Sequence, residues 1–238
     1  MIVNQLLRRQ KAIASNFVQY FILSHFIPYE PRQYVLMRDL KLAYLNIPKA
    51  ACSSIKWSLL VKARPEISAK YRSNPHAYPW EIVNSREDVP EGFVTFSFVR
   101  NPLERLVSCY KNKFEEWNIG RQRFEFDEYM FGVFYQSMTF SEFVRAVIAV
   151  PDRMADGHFR KQSSLCFDGK ICAVDHIWKL EDAAKYAAEI GQIISISEIP
   201  NLNASSNRTW RQYYDEETLK LVQEYYRDDF VLLGYEVS

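Results

Sequence analysis

Leu42–Trp57 reads LAYLNIPKAACSSIKW, and its reading decides the fold. Leu42–Ile47 is a mostly apolar run of strand length, suited to a central position in a parallel sheet. Pro48–Ala51 is a tight turn of small residues around Lys49, and a helix is expected to open at Ser53 or Ser54 and run to about Val61. Small residues let backbone N–H groups approach an anion closely, and a helix start adds unsatisfied N–H groups and the positive end of a dipole. The segment therefore has the layout of a phosphate cradle, although the glycines of a Walker loop are absent. Lys49, Ala50, Ala51, Cys52, Ser53 and Ser54 are its candidate anion-binding residues. Taken alone, the turn is also compatible with an ordinary strand–helix connection bearing a solvated lysine.

A second strand–turn–helix lies at Phe93–Phe114. Phe93–Val99 is the strand. Asn101 caps the next helix, Pro102 occupies its first position and Glu104 can reach back to the cap, with the helix continuing to about Phe114. Arg100 ends a buried strand, where it needs a partner, and Ser108 follows about two helical turns later. A phosphate held by both side chains would explain the pair. The alternative is Arg100 on a carboxylate and Ser108 as a small packing residue.

Outward from these turns the chain alternates strands and helices. Residues 1–28 read as a helix ended by prolines 28 and 31, and Tyr34–Met37 as a short strand. Arg64–Val89 is polar, carries prolines 65, 75 and 79, and reads as a long excursion over the ligand side. Residues 115–138 lack a period and read as loop or insertion. Thr139–Val150 is a capped amphipathic helix, Ala173–Trp178 a third strand, and Glu181–Ile190 a helix closed by Gly191. Pro200–Asn207 is a polar loop and Asp215–Asp228 a final helix. The alternation predicts one α/β domain over residues 1–238, with a lead-in to residue 41 and a core at 42–235. The expected architecture is three αβα layers, P-loop-NTPase-like, around a mainly parallel sheet. Ligands of such sheets sit at the carboxyl ends of the strands, where both special turns fall.

Composition narrows the function. The chain has 238 residues, 48% hydrophobic and 25% charged, as in a soluble globular protein. Its net charge of +1 gives no global field for nucleic acid, leaving room only for a local basic cluster. The 15% aromatic content reads first as core. Cysteines 52, 109, 166 and 172 form neither a disulfide framework nor C-x-x-C pairs, so no metal is expected. The apolar run Phe17–Pro28 is interrupted by Gln19, Ser24 and His25 and is shorter than a spanning helix. A cytoplasmic location is expected, with membrane association through this segment as the alternative.

The two turns, taken together, resemble the cofactor signatures of sulfotransferases that use 3′-phosphoadenylyl sulfate (PAPS). PKAACSS is similar to their 5′-phosphosulfate loop, and FVRNPLERLVSCYKNKF to their 3′-phosphate segment. The pattern is nearest to the carbohydrate sulfotransferases of the chondroitin type, sulfotransferase family 2. His158–Gln162, HFRKQ, resembles an H-W-R-P-Q-like element of that group. Asp175–Ala183, DHIWKLEDA, and Asp228–Tyr235, DDFVLLGY, resemble its later steps in order. Lys161 stands where that element has proline, and the cysteines are spaced differently.

The resemblance implies sulfuryl transfer from PAPS to a hydroxyl, on a glycan by family expectation, releasing the bisphosphate nucleotide PAP without a metal. By position, Lys49 would neutralise the leaving oxygen, Ala50–Ser54 would hold the 5′ end, and Arg100 with Ser108 the 3′ phosphate. A general base is still needed, and histidine is best tuned for it. His158 and His76 are the candidates, with Asp or Glu also open, while His176 reads as structural and His25 lies in the N-terminal helix. A P-loop-like nucleotide kinase and a non-catalytic binding module are the competing readings.

Overall fold

A computed structural model describes residues 31–115, 133–196 and 210–237. The expected helix over residues 1–28, with His25, the loop at Pro200–Asn207 and most of the 115–138 segment lie outside the described residues.

β1 (Tyr34–Met37) turns through Lys41, whose φ is 50°, into β2 (Leu42–Leu45), pairing antiparallel with Tyr34 opposite Leu45. The chain then forms α1 (Cys52–Ala63), the short α2 (Pro65–Ser68) and β3 (Glu81–Val83). β4 (Val94–Val99) leads into α3 (Pro102–Tyr110), and α4 (Phe140–Ala149) follows. α5 (Gln162–Cys166) runs into a small hairpin of β5 (Phe167–Asp168) and β6 (Ile171–Cys172). β7 (His176–Lys179), α6 (Ala187–Ile194), α7 (Glu216–Tyr225) and α8 (Arg227–Leu232) complete the chain.

The five-stranded sheet has the order β3-β1-β2-β4-β7. β2, β4 and β7 are parallel, as expected. β1 runs against both neighbours, so the sheet is mixed. β3 went unread in the sequence because its face is largely exposed and only three residues long.

Alternating side chains commit each face of the sheet to a different layer. Tyr44, Phe96, Phe98 and Trp178 pack under Ile55 and Leu59 of α1 and Ile190 and Ile194 of α6. Ala43, Leu45 and Val99 face the other way, against Leu165 and Leu233. A separate core joins α3, α4 and α7 through Tyr110, Phe114, Phe143, Phe159 and Tyr226. The many aromatic rings are thus core, each burying on the order of 150–250 Å². Two buried polar strand residues find partners: Ser97 Oγ donates to the Leu45 carbonyl at 2.8 Å, and Thr95 Oγ1 to Asp175 at 2.8 Å.

Several element boundaries differ from expectation. Gly191 does not end its helix. That helix starts six residues late, at Ala187, and continues because Ile194 extends the apolar face that Ile190 begins. The third strand starts at His176, since Asp175 is held by Thr95 instead. α3 ends at Tyr110 and passes into a π turn, Lys111–Glu115, that buries Lys113 and Phe114. The expected Asp215–Asp228 helix breaks at Tyr226 into α7 and α8. Among the described residues no helix is long and apolar enough to cross a membrane.

Candidate active site

β2 and β4 are neighbours and parallel, so their carboxyl ends open on one edge of the sheet. Past β2, the Ala50 N–H closes a turn on the Ile47 carbonyl at 3.2 Å. Lys49 and Ala51 flank it in left-handed conformations, with φ of 67° and 59°. Non-glycine residues avoid this region at roughly 1–2 kcal/mol each, and such strain persists where the surroundings impose it. Alternating backbone handedness turns successive N–H groups inward, the geometry of an anion nest. α1 then begins at Cys52 with no side-chain cap and no acidic residue in its first turn. Its opening N–H groups are therefore directed at the same edge.

The Arg100 turn is held from three directions. The Gln162 carboxamide pairs with the Arg100 backbone, accepting from its N–H at 2.9 Å and donating to its carbonyl at 2.7 Å. Asp229 fixes that helix start, accepting from the Gln162 and Ser163 N–H groups at 2.9 and 2.7 Å. Glu181 accepts from the Asn101 N–H at 2.6 Å and from the Tyr235 hydroxyl at 3.0 Å. The later sequence elements HFRKQ, DHIWKLEDA and DDFVLLGY thus converge on one backbone turn. The Arg100 side chain is only 12% exposed and lies 3.4 Å from Glu104, the pairing weighed as its alternative. Burial raises the Glu104 carboxyl, against the pull of Arg100. Ser108 is half-buried on α3.

Arg105, which the sequence reading passed over, joins the parts. It is almost wholly buried and donates to the carbonyls of Pro48, Arg160 and Gly157 at 3.0, 2.7 and 2.6 Å. The Lys49 turn and the His158 segment are thereby strapped to α3. His158 Nδ1 donates to Asp156 Oδ1 at 2.6 Å, so that in the neutral ring Nε2 is the accepting nitrogen. Burial alone would raise the Asp156 carboxyl, but its bonds to His158 and the charge of Lys113 hold it below the usual range.

His76 arrives from the excursion after α2. Its Nε2 lies 2.9 Å from Ser53 Oγ and its Nδ1 3.3 Å from Lys56 Nζ. His76 is exposed to solvent, yet the charges around it are mostly cationic. Loss of water, then the charges of Lys56, His158, Lys113 and Lys49, push its pKa down to about 4. The structure therefore brings Lys49, His76 and His158 into one electrostatic neighbourhood. His176 is apart from it, stacked on Trp178 with ring centroids 5.5 Å apart. Lys56, Lys113, Arg105 and Asp156 belong to the same neighbourhood and were not read from sequence. Lys56 carried a faint signal, because it shares a helix face with Ser53. Among the described residues no group of His, Cys, Asp or Glu is placed to hold a metal.

The family model described as Sulfotransferase family matches residues 32–236, nearly all of the described core. The chain belongs to the sulfotransferase family. It is 27% identical over 240 residues to carbohydrate sulfotransferase 14 of Danio rerio, covering 85% of this chain and 62% of that protein. It is 26% identical over 253 residues to carbohydrate sulfotransferase 11 of Mus musculus, covering 88% and 69%. Against carbohydrate sulfotransferase 14 of Homo sapiens the identity is 28% over 204 residues, covering 79% and 53%. The chain thus spans between about half and two thirds of the length of these relatives. No solved structure matches it.

The chain's departures from the family-like pattern are locally compensated. Lys161 uses the N–H that a proline would lack, donating to Asp152 at 2.8 Å, while its ammonium reaches Asp228 at 3.3 Å. Cys166 and Cys172 do not pair; Cys166 is buried and Cys172 exposed. Cys52 is half-buried in the turn, 3.7 Å from His76 Nε2.

Proposed function

We propose that this sulfotransferase transfers a sulfuryl group from PAPS to a hydroxyl of a carbohydrate, on a P-loop-like αβα scaffold. The observation that carries the reading is the left-handed turn at Lys49 and Ala51, set against an uncapped helix and beside the Arg100 tip of the adjacent parallel strand. A nucleotide with phosphate at both its 3′ and 5′ ends suits two anion sites on one sheet edge. The relatives' names, carbohydrate sulfotransferase 11 and 14, support a glycan acceptor.

In this reading the acceptor oxygen attacks sulfur as the bond from sulfur to the 5′-phosphate oxygen breaks, in line, as in phosphoryl transfer. The electron pair leaves on that phosphate oxygen. Lys49 neutralises it, and the amides of Ala50, Ala51, Cys52, Ser53 and Ser54, with the two serine hydroxyls, hold the group. Arg100 and Ser108 hold the 3′ phosphate, for which Arg100 exchanges or shares Glu104. His158, oriented by Asp156, takes the acceptor proton on Nε2. These fixed donors need no reorganisation as charge develops, which is the most effective form of electrostatic catalysis.

The test is incubation with PAPS and a panel of neutral and acidic glycans, followed by mass detection of an added sulfate. Appearance of PAP together with a sulfated glycan is expected. Failure of PAP to raise the melting temperature, with stabilisation by ATP and Mg²⁺ instead, would overturn the reading.

A further inference from the structure

Ser53 and Lys56 are three residues apart on α1 and so share one helix face. The His76 imidazole bridges them, with Nε2 at 2.9 Å from Ser53 Oγ and Nδ1 at 3.3 Å from Lys56 Nζ. Lys56 is only 4% exposed, an uncommon place for an ammonium unless it has work or partners there. An ammonium has three donors and no acceptor. Nδ1 must therefore accept from it, and the ring proton must sit on Nε2, facing Ser53. A hydroxyl that accepts from the imidazole keeps its own hydrogen for another acceptor.

We infer that Lys56 and His76 are positioning residues that fix Ser53 as a hydrogen-bond donor to the anion held by the Lys49 turn. The inference rests on the cradle reading of the proposed function and assigns two residues that reading leaves without a role. It removes His76 from candidacy as general base, because its lone pair is engaged by Lys56. His158 differs: the Asp156 carboxylate can only accept, so Nδ1 carries a proton, and in the neutral ring Nε2 is left to accept.

The surroundings agree with a relay that stays neutral. The groups facing His76 are Lys56 and Cys52 of α1, Lys49 of the turn, Lys113 of the π turn and His158 of the segment before α5. Loss of water and the cations among these keep the ring uncharged at neutral pH, with its pKa pushed down to about 4. A neutral ring with one donor and one acceptor nitrogen is what the Lys56–His76–Ser53 chain requires.

Two measurements test it. The first is the ring tautomer of His76 at pH 7.5 from ¹⁵N chemical shifts of the free enzyme. The Nε2–H form is expected, and Lys56→Met should raise the ring's titration midpoint; the Nδ1–H form overturns the inference. The second is a double-mutant cycle on PAP affinity by calorimetry. Ser53→Ala and His76→Ala should each weaken binding by about tenfold, the scale of one charge-assisted bond. The double variant should be no weaker than either single one, since the residues act as a unit. His76→Gln, whose amide N–H can donate where Nε2 did, should recover most of the loss. Multiplying losses, or a glutamine as damaging as alanine, overturn the inference. A wild-type enzyme that does not bind PAP would instead sink the cradle reading, and the tautomer measurement would still decide the relay.

Discussion

Arg105 Nε donates to the Pro48 carbonyl at 3.0 Å, tying the strap ahead of Lys49 to the helix that follows Arg100. The same guanidinium reaches the carbonyls of Gly157 and Arg160, on either side of His158. One buried cation thus sets the spacing among the three segments on which the site is built. Its five donors in a rigid fork suit three acceptors in a way that a lysine cannot match.

Arg105→Lys should therefore leave at least one buried carbonyl without a donor. A loss of about 3 kcal/mol follows from hydrogen bonds to a charged group. At this chain length that lowers the melting temperature by roughly 6–12 °C. Thermal unfolding monitored by circular dichroism checks it; an unchanged midpoint would show that the clamp carries no stability.

The left-handed turn makes an opposite prediction for stability. Ala51 has a φ of 59°, where glycine has no steric penalty. Ala51→Gly should stabilise the free protein by up to about 1 kcal/mol, offset in part by the freedom glycine has when unfolded. Ala51→Val, β-branched, should destabilise it. Paired denaturant titrations of both variants read the sign, and a less stable glycine variant would mean that the turn is not strained.

Lys49→Ala should lower turnover far more than it weakens PAP. Loss of one group stabilising a leaving oxygen costs about 2.7–4 kcal/mol of barrier, or roughly 10²–10³ in turnover. Single-turnover kinetics beside PAP calorimetry separate the two effects. Near-normal turnover would remove Lys49 from the reacting centre.

Acid should destabilise the fold partly through His76. Its folded pKa, about 4, lies below the ordinary 6.5. Between these values the unfolded chain binds a proton that the folded chain refuses, so stability falls as pH drops. The contribution is complete above pH 6.5 and gone below about 4. His76→Gln should show a shallower decline from pH 7 to 4.5 in unfolding midpoints. Identical slopes would place His76 in an ordinary solvated setting.

The strand–turn–helix pairs were legible in the sequence because their signals are local. Apolar runs mark β2 and β4, and the Asn-Pro start of α3 shows itself directly, with Asn101 accepting from the Leu103 N–H at 3.0 Å, although the Asn101 N–H donates to Glu181 and not to Glu104 as expected. What escaped was long-range. Arg105 looks like any arginine on a helix until Pro48 and Gly157 arrive from elsewhere in the chain. Lys56 reads as an exposed helix lysine until the excursion folds His76 over it. Gly191 looked like a stop signal, but burial of Ile194 against the sheet outweighs the modest helix penalty of one glycine. Left-handed Lys49 and Ala51 could not be foreseen, since neither residue favours that conformation.

The central proposal is that neighbouring strand tips grip opposite ends of one adenosine bisphosphate, and a crystal structure of the PAP complex tests it most directly. The 5′ phosphate is expected among the amides of residues 50–54 with Lys49 beside it, and the 3′ phosphate on Arg100 and Ser108. A nucleotide seated away from both tips, or one whose 3′ phosphate avoids Arg100 while Glu104 keeps that side chain, would contradict it.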